Sequence, residues 1–168
     1  PYPYGSGDSA NGNIYVSPWL TADPAPSWYP PTVSNIKQYK SDGVMELPES
    51  SRTTEDAVVF KGVVSDPLGN LIKLQIEVRP AGEAFSGVED GGVLNSDFVS
   101  SGNEVSLTKS GLTSGQYHWR VRAINTNGNV SPWQEFGVSG NSDFEIKPVP
   151  FNKNTYFCAS KLVSISTA

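Results

Sequence analysis

Few residues in this chain have the chemistry to act on a substrate, and those that do are scattered. His118 is the only histidine and Cys158 the only cysteine. A catalytic base needs a nucleophile to activate and a partner to orient it. His118 has neither a second histidine nor a cysteine near it in sequence, so it reads as an outward-pointing strand residue. The lone thiol excludes an internal disulfide, a Cys-x-x-Cys metal site and a redox pair, and Cys158 reads as incidental rather than reactive. Glu49, Glu55, Asp56, Glu89 and Asp90 fall in loop-like sequence. Acids that cleave glycosides must face one another across a groove, which their spacing does not specify, so they read as solvated loop charges. Asp66 and Asn70 offer two oxygen ligands to calcium, which takes roughly six to eight. Leu68 stands where a third would be needed, and the expectation is a side-chain-stabilised turn and no cofactor. Asn129-Val130-Ser131 matches the glycosylation triplet but sits in a tight turn, and reads as turn chemistry. No catalytic or metal-binding residue is therefore assigned, and the chain is expected not to be an enzyme.

Recognition chemistry is better represented. Tyr2, Tyr4, Tyr15, Trp19, Trp28, Tyr29 and Tyr156 lie outside the expected core. Flat exposed rings can stack on sugars or form an interaction patch. The C-terminal run Lys161–Ala168 is β-prone, nearly uncharged and free of proline, a composition suited to pairing with a sheet edge. Trp19, Trp28 and Tyr29, with Leu162, Val163 and Ile165, are the candidate interaction surface.

Those groups must be held by something, and the composition says by strands. The 168 residues include 16 Gly and 13 Pro, and the apolar residues come in short runs punctuated by Gly, Pro, Asn, Asp and Ser. No segment shows helical periodicity over any length. The net charge of -5 argues against nucleic acid; Arg120 and Arg122 are the one close basic pair and read as a solvated strand face. No stretch approaches the roughly 20 apolar residues of a membrane span. The chain begins at Pro1 without an initiator Met or a signal peptide, so it reads as a processed or excised piece.

The chain divides into three parts. Residues 1–31 form an extended arm rich in proline and aromatics, ending in the stiff Asp23–Pro31 linker. Residues 32–146 carry the β pattern. Residues 147–168 form the β-prone tail. Within the middle part, strands are expected over Val33–Tyr39, Ala57–Ser65, Leu71–Arg79 and Glu104–Thr108. Phe85–Phe98 is expected to be irregular. The most informative stretch is Tyr117–Trp133, where Tyr117, Trp119, Val121 and Ala123 alternate with His118, Arg120 and Arg122 before an Asn127-Gly128-Asn129 turn. A last strand follows in two pieces, Trp133–Val138 and Asp143–Ile146, broken at Gly140. Short strands at this spacing predict an all-β fold, an antiparallel sandwich with extended arms at both ends.

Residues 32–146 resemble a bacterial fibronectin type III-like, immunoglobulin-like module. The resemblance rests on Leu112, Gly115 and Tyr117 at a corner, on Tyr117-x-Trp119-x-Val121-x-Ala123-x-Asn125 before Gly128, and on Asp66-Pro67-x-Gly69-Asn70 before an alternating strand. It implies that the Tyr117 hydroxyl bonds back to upstream backbone. The chain departs from the family in lacking a tryptophan on the second strand, where Phe60 is the nearest substitute, and in a Leu-to-Tyr spacing one residue short. Ser9–Leu20 resembles the closing coil of a bacterial right-handed parallel β-helix. Together these imply a non-enzymatic extracellular or cell-surface module serving structure or interaction, with protein partners, either copies of itself or neighbouring domains. Assembly into a filament through its arms is one form of that role. The alternative is a carbohydrate-binding or spacer module of a polysaccharide-active secreted enzyme.

Overall fold

The computed structural model describes residues 29–147, which form nine strands: β1 (Thr32–Lys40), β2 (Ser51–Thr53), β3 (Val58–Ser65), β4 (Ile72–Pro80), β5 (Val93–Asn95), β6 (Glu104–Lys109), β7 (Gly115–Asn125), β8 (Gln134–Glu135) and β9 (Phe144–Ile146). The smaller sheet has the order β1-β3-β6. The larger has the order β2-β9-β7-β4-β5, with β8 also paired to β7. The pairs are antiparallel except β2 with β9. The two sheets pack face to face as a β-sandwich, the class expected from the strand pattern.

Period-two alternation does most of this. Val58, Phe60 and Val64 from β3, Ile72, Leu74, Ile76 and Val78 from β4, and Trp119, Val121 and Ala123 from β7 are all buried in the shared core. Phe60 does take the central position across from Trp119: their ring centroids are 4.7 Å apart, and Phe60 also meets Phe144 at 6.0 Å. Each such side chain contributes roughly 1.5–3 kcal/mol. The corner forms as the resemblance implied, the Tyr117 hydroxyl donating to the Thr113 carbonyl at 3.0 Å beneath the buried Leu112.

Polar side chains tie the two sheets together inside this core. Gln38 of β1 is wholly buried; its Oε1 accepts from Trp119 Nε1 at 3.0 Å and its Nε2 donates to the Asp143 carbonyl at 2.8 Å. Gln38 reaches inward because β1 carries a bulge: the pairing with β3 shifts register between Ser34 and Lys37, with Asn35 in the left-handed region at φ 50°.

Three features depart from the sequence reading. β2 and β5 are additional strands of three residues each, with β5 inside the stretch expected to be irregular. Segments that short carry no periodicity of their own, and their partners β9 and β4 define them. The last strand is interrupted over 136–143 rather than at Gly140 alone, and both pieces pair with β7, at Arg120/Val121 and at Gly115–Tyr117.

Pairing also fixes where the chain enters and leaves. Thr32 lies opposite Ser65, and Ile72 opposite Asn125, so these residues mark one end of the sandwich. Ile146 lies opposite Gly115 and Thr53, and Pro80 opposite Tyr117, at the other end.

Candidate functional site

The outer face of the larger sheet is where the structure gathers chemistry. The outward residues of β7, His118, Arg120 and Arg122, are two positions apart, a spacing of roughly 6.8 Å. An aromatic plane between neighbours then sits at stacking distance from each. Phe85, from the loop after β4, stacks on the His118 ring with centroids 4.1 Å apart and lies 4.7 Å from the Arg120 guanidinium. Trp133, from the segment before β8, lies 4.3 Å from both the Arg120 and the Arg122 guanidinium. The result is a ladder of alternating rings and cations along one strand. Arg120 and Arg122, read as a solvated face, are instead partly covered and paired. Phe85 and Trp133, distant in sequence, supply the cover, so the local pattern of β7 carries no sign of it.

Beneath the ladder lies Glu77 of β4, which is 0% exposed. Its carboxylate accepts from Arg120 Nη2 at 2.7 Å, Arg79 Nε at 3.0 Å, Ser86 N at 2.8 Å and Gly87 N at 3.1 Å. Burial opposes its ionisation, but the Ser86 amide, the two guanidiniums and the Gly87 amide outweigh that and hold its pKa at about 2. Arg79 also reaches Asp90 at 2.8 Å. The neighbouring Gln75, 2% exposed, accepts from Arg122 Nε at 2.6 Å and donates to Asn95 at 2.8 Å and to Glu89 at 3.3 Å. Gln75 and Glu77 share the face of β4 opposite its core residues Leu74, Ile76 and Val78, but the segment 81–95, which includes β5, and the arginines of β7 close over them. Glu89 and Asp90 are loop residues as expected, yet both are engaged in this clamp. No feature of local sequence would have found it, since burial of Glu77 depends on a loop ten residues further on.

The remaining candidates have defined places. His118 Nε2 lies 2.8 Å from the Glu83 carbonyl oxygen, so its neighbours are a backbone carbonyl and the Phe85 ring. Asp66 is 4% exposed; its Oδ1 accepts from Leu68 N, Asn70 N and Asn70 Nδ2, and its Oδ2 from Asn125 Nδ2. A carboxylate surrounded by N–H donors, with the Asn70 amide turned to donate, is the stabilised turn that the sequence predicts, and burial is outweighed by these bonds so that its pKa falls. Glu55 accepts from Ser41 N at 2.8 Å, Asp56 accepts from Leu112 N through its backbone carbonyl at 2.9 Å, and Glu49 accepts from Val138 N at 2.8 Å. Among the described residues no cluster of three His, Cys, Asp or Glu side chains could hold a metal ion. Asn125 Oδ1 accepts from Asn127 N and Asn129 N, which accounts for the triplet as turn chemistry. Tyr29 is 43% exposed at the start of the described chain. Trp19, Trp28, Leu162, Val163, Ile165 and Cys158, the rest of the candidate interaction surface and the lone thiol, lie outside the described residues. A groove of about 250 Å³ opens near Tyr29, lined by Pro30, Pro31, Val33, Val121, Pro132 and Trp133.

No protein-family profile matches the chain, and no curated protein matches it. Among solved structures it is similar to the PKD domain of an M14-like peptidase from a Thermoplasmatales archaeon, at 18% identity and a TM-score of 0.40, over 70% of this chain and 94% of that one. It is also similar to the soluble domain of PmoD from a Methylocystis species, at 15% identity and a TM-score of 0.41, over 62% of this chain and 88% of that one.

Proposed function

We propose that this chain is a non-enzymatic spacing and interaction module of a bacterial extracellular or cell-surface polypeptide. The observation that carries the reading is the path of the chain. It enters at the Thr32–Ser65 end and leaves at the Ile146–Gly115 end, opposite ends of a body spanned by the 11 residues of β7. That strand is about 35 Å long at its usual rise. A domain threaded in this way adds length between its neighbours and hands tension from one sheet to the other. The Gln38–Trp119–Asp143 ties and the Glu77 clamp resist the shear that such loading applies. The chemistry gathered on the surface supports the same reading: its arginines, rings and carboxylates are spent on one another.

Two measurements on the full chain test this. Probes attached at positions 29 and 147 are expected to lie about 35–40 Å apart, and a separation below about 15 Å overturns the spacer geometry. The purified chain is also expected to turn over no glycoside, ester or peptide substrate. Saturable quenching of tryptophan fluorescence by a polysaccharide, lost in Trp19→Ala or Trp28→Ala, moves the assignment to a carbohydrate-binding module. Fibres that disappear on deletion of residues 148–168 add self-assembly to the role.

A further inference from the structure

One buried carboxylate is used by neither the ladder nor the turn. Asp143 is 1% exposed and lies where the last strand resumes after its interruption. Its Oδ2 accepts from the Trp119 amide at 2.8 Å, while its Oδ1 is buried without a hydrogen-bond partner among the described residues. Glu49, on the connection between β1 and β2, comes close to it. A Cβ built on Gly137 would stand 3.0 Å from Asp143 Oδ1 and 2.6 Å from Glu49 Oε1, which puts the two oxygens less than about 6 Å apart, inside the range where like charges suppress ionisation. Among the described residues, the charged groups facing Asp143 are Glu49 and, from β8, Glu135, both acidic. The Glu49 carboxylate also holds the interrupting loop, accepting from Val138 N at 2.8 Å. The neighbouring Ser50 joins the same seam, its amide donating to the Asp143 carbonyl at 2.8 Å and its hydroxyl to the Ser142 carbonyl at 3.2 Å.

We propose that Asp143 and Glu49 form a proton-operated latch: a proton on Asp143 Oδ1, donated across to Glu49, closes the 136–142 loop onto the β1–β2 connection, and its loss releases the loop. The proton comes from solvent and returns to it, and no other bond changes. Closed, the shared proton satisfies the one oxygen of Asp143 that lacks a donor and removes the repulsion between the two acids. Open, Glu49 withdraws from Val138 N and the seam through Ser50 loosens. Burial, opposed by the Trp119 amide and reinforced by Glu49 and Glu135, pushes the Asp143 carboxyl from 3.8 up to about 7. A folded value above the unfolded one means that the closed form is fully favoured below about pH 4, weakens as pH rises, and reaches its weakest above about pH 7. The module is thus built to tighten in mildly acidic surroundings.

The test is native-state hydrogen exchange on the full chain between about pH 4 and pH 9, corrected for intrinsic rates. The amides of Val138 and Trp119 are expected to open up to tenfold more per pH unit between about pH 4 and pH 7, then level off. The Leu74 and Ile76 amides, remote from the seam, are expected not to follow. Asp143→Asn, whose amide can donate to Glu49 at any pH, is expected to hold both reporters at their acid values throughout. Glu49→Gln, whose amide can donate to an ionised Asp143, is expected to shift the step to lower pH. A flat wild-type profile overturns the latch, as does a step unchanged in Glu49→Gln, which decides the matter should Asp143→Asn fail to fold. Recovery of protection at pH 8 on adding millimolar calcium chloride also overturns it, in favour of a cation site.

Discussion

Replacing Glu77 by glutamine tests whether the clamp works through charge or through shape. The carboxylate is wholly buried and its pKa is about 2 against an ordinary 4.5. That difference corresponds to about 3 kcal/mol in favour of the ionised folded state. Because the folded value lies below the unfolded one, this stabilisation is complete above about pH 4.5 and is lost as pH falls through about 2. Glutamine is nearly isosteric and keeps one acceptor for Ser86 N or Gly87 N, but its Nε2 opposes the donors of Arg79 or Arg120. Glu77→Gln is therefore expected to cost about 2–3 kcal/mol at neutral pH, somewhat less than breaking a buried pair outright. The cost is expected to shrink below about 1 kcal/mol near pH 2, where the wild-type side chain is itself becoming neutral. Urea titrations of both proteins at the two pH values measure this, with equal m-values confirming that the unfolded states are comparable. An equal cost at both pH values refutes the electrostatic account and leaves packing as the cause.

Other expectations follow from the same contacts. Tyr117→Phe removes the hydroxyl bond to the Thr113 carbonyl and is expected to cost about 1 kcal/mol in urea titration, a loss typical of one neutral hydrogen bond. Trp119→Ala removes the largest buried side chain among the described residues and strands Gln38 Oε1; a cost of about 3–5 kcal/mol or failure to fold is expected by thermal melting. Trp133→Ala takes away the ring shared by Arg120 and Arg122 and is expected to cost about 1–2 kcal/mol, more than an ordinary surface truncation. Asp143 gains stability as pH falls from about 7 toward 4, whereas Glu77 loses it below about 4.5. The wild-type thermal midpoint is accordingly expected to peak near pH 4–5; a peak at pH 7–8 would contradict the Asp143 assignment, and a midpoint still rising below pH 3 would contradict that of Glu77.

What the sequence by itself determined was the β-sandwich, because its causes are local. Alternation in Ile72–Arg79 and Tyr117–Ala123 states which side chains face the core, whatever the rest of the chain does, and short strands of it between turn signals point to sheets packed across one core. Turns were legible for the same reason: Asp66 and Asn125 bond amides two and four residues along, so their effect is written within a few positions. What only tertiary structure decided is the fate of the polar face. Gln75, Glu77, Arg120 and Arg122 alternate as solvent-facing residues should, and an alternating pattern distinguishes two faces without saying that the second stays wet. Phe85, Ser86 and Trp133, brought from elsewhere, close over that face. Asp143 is the extreme case. Nothing near it in sequence marks a buried acid, because its burial comes from Gln38, Trp119, Glu49 and Gly137, residues up to 105 positions away that meet only when the two sheets close.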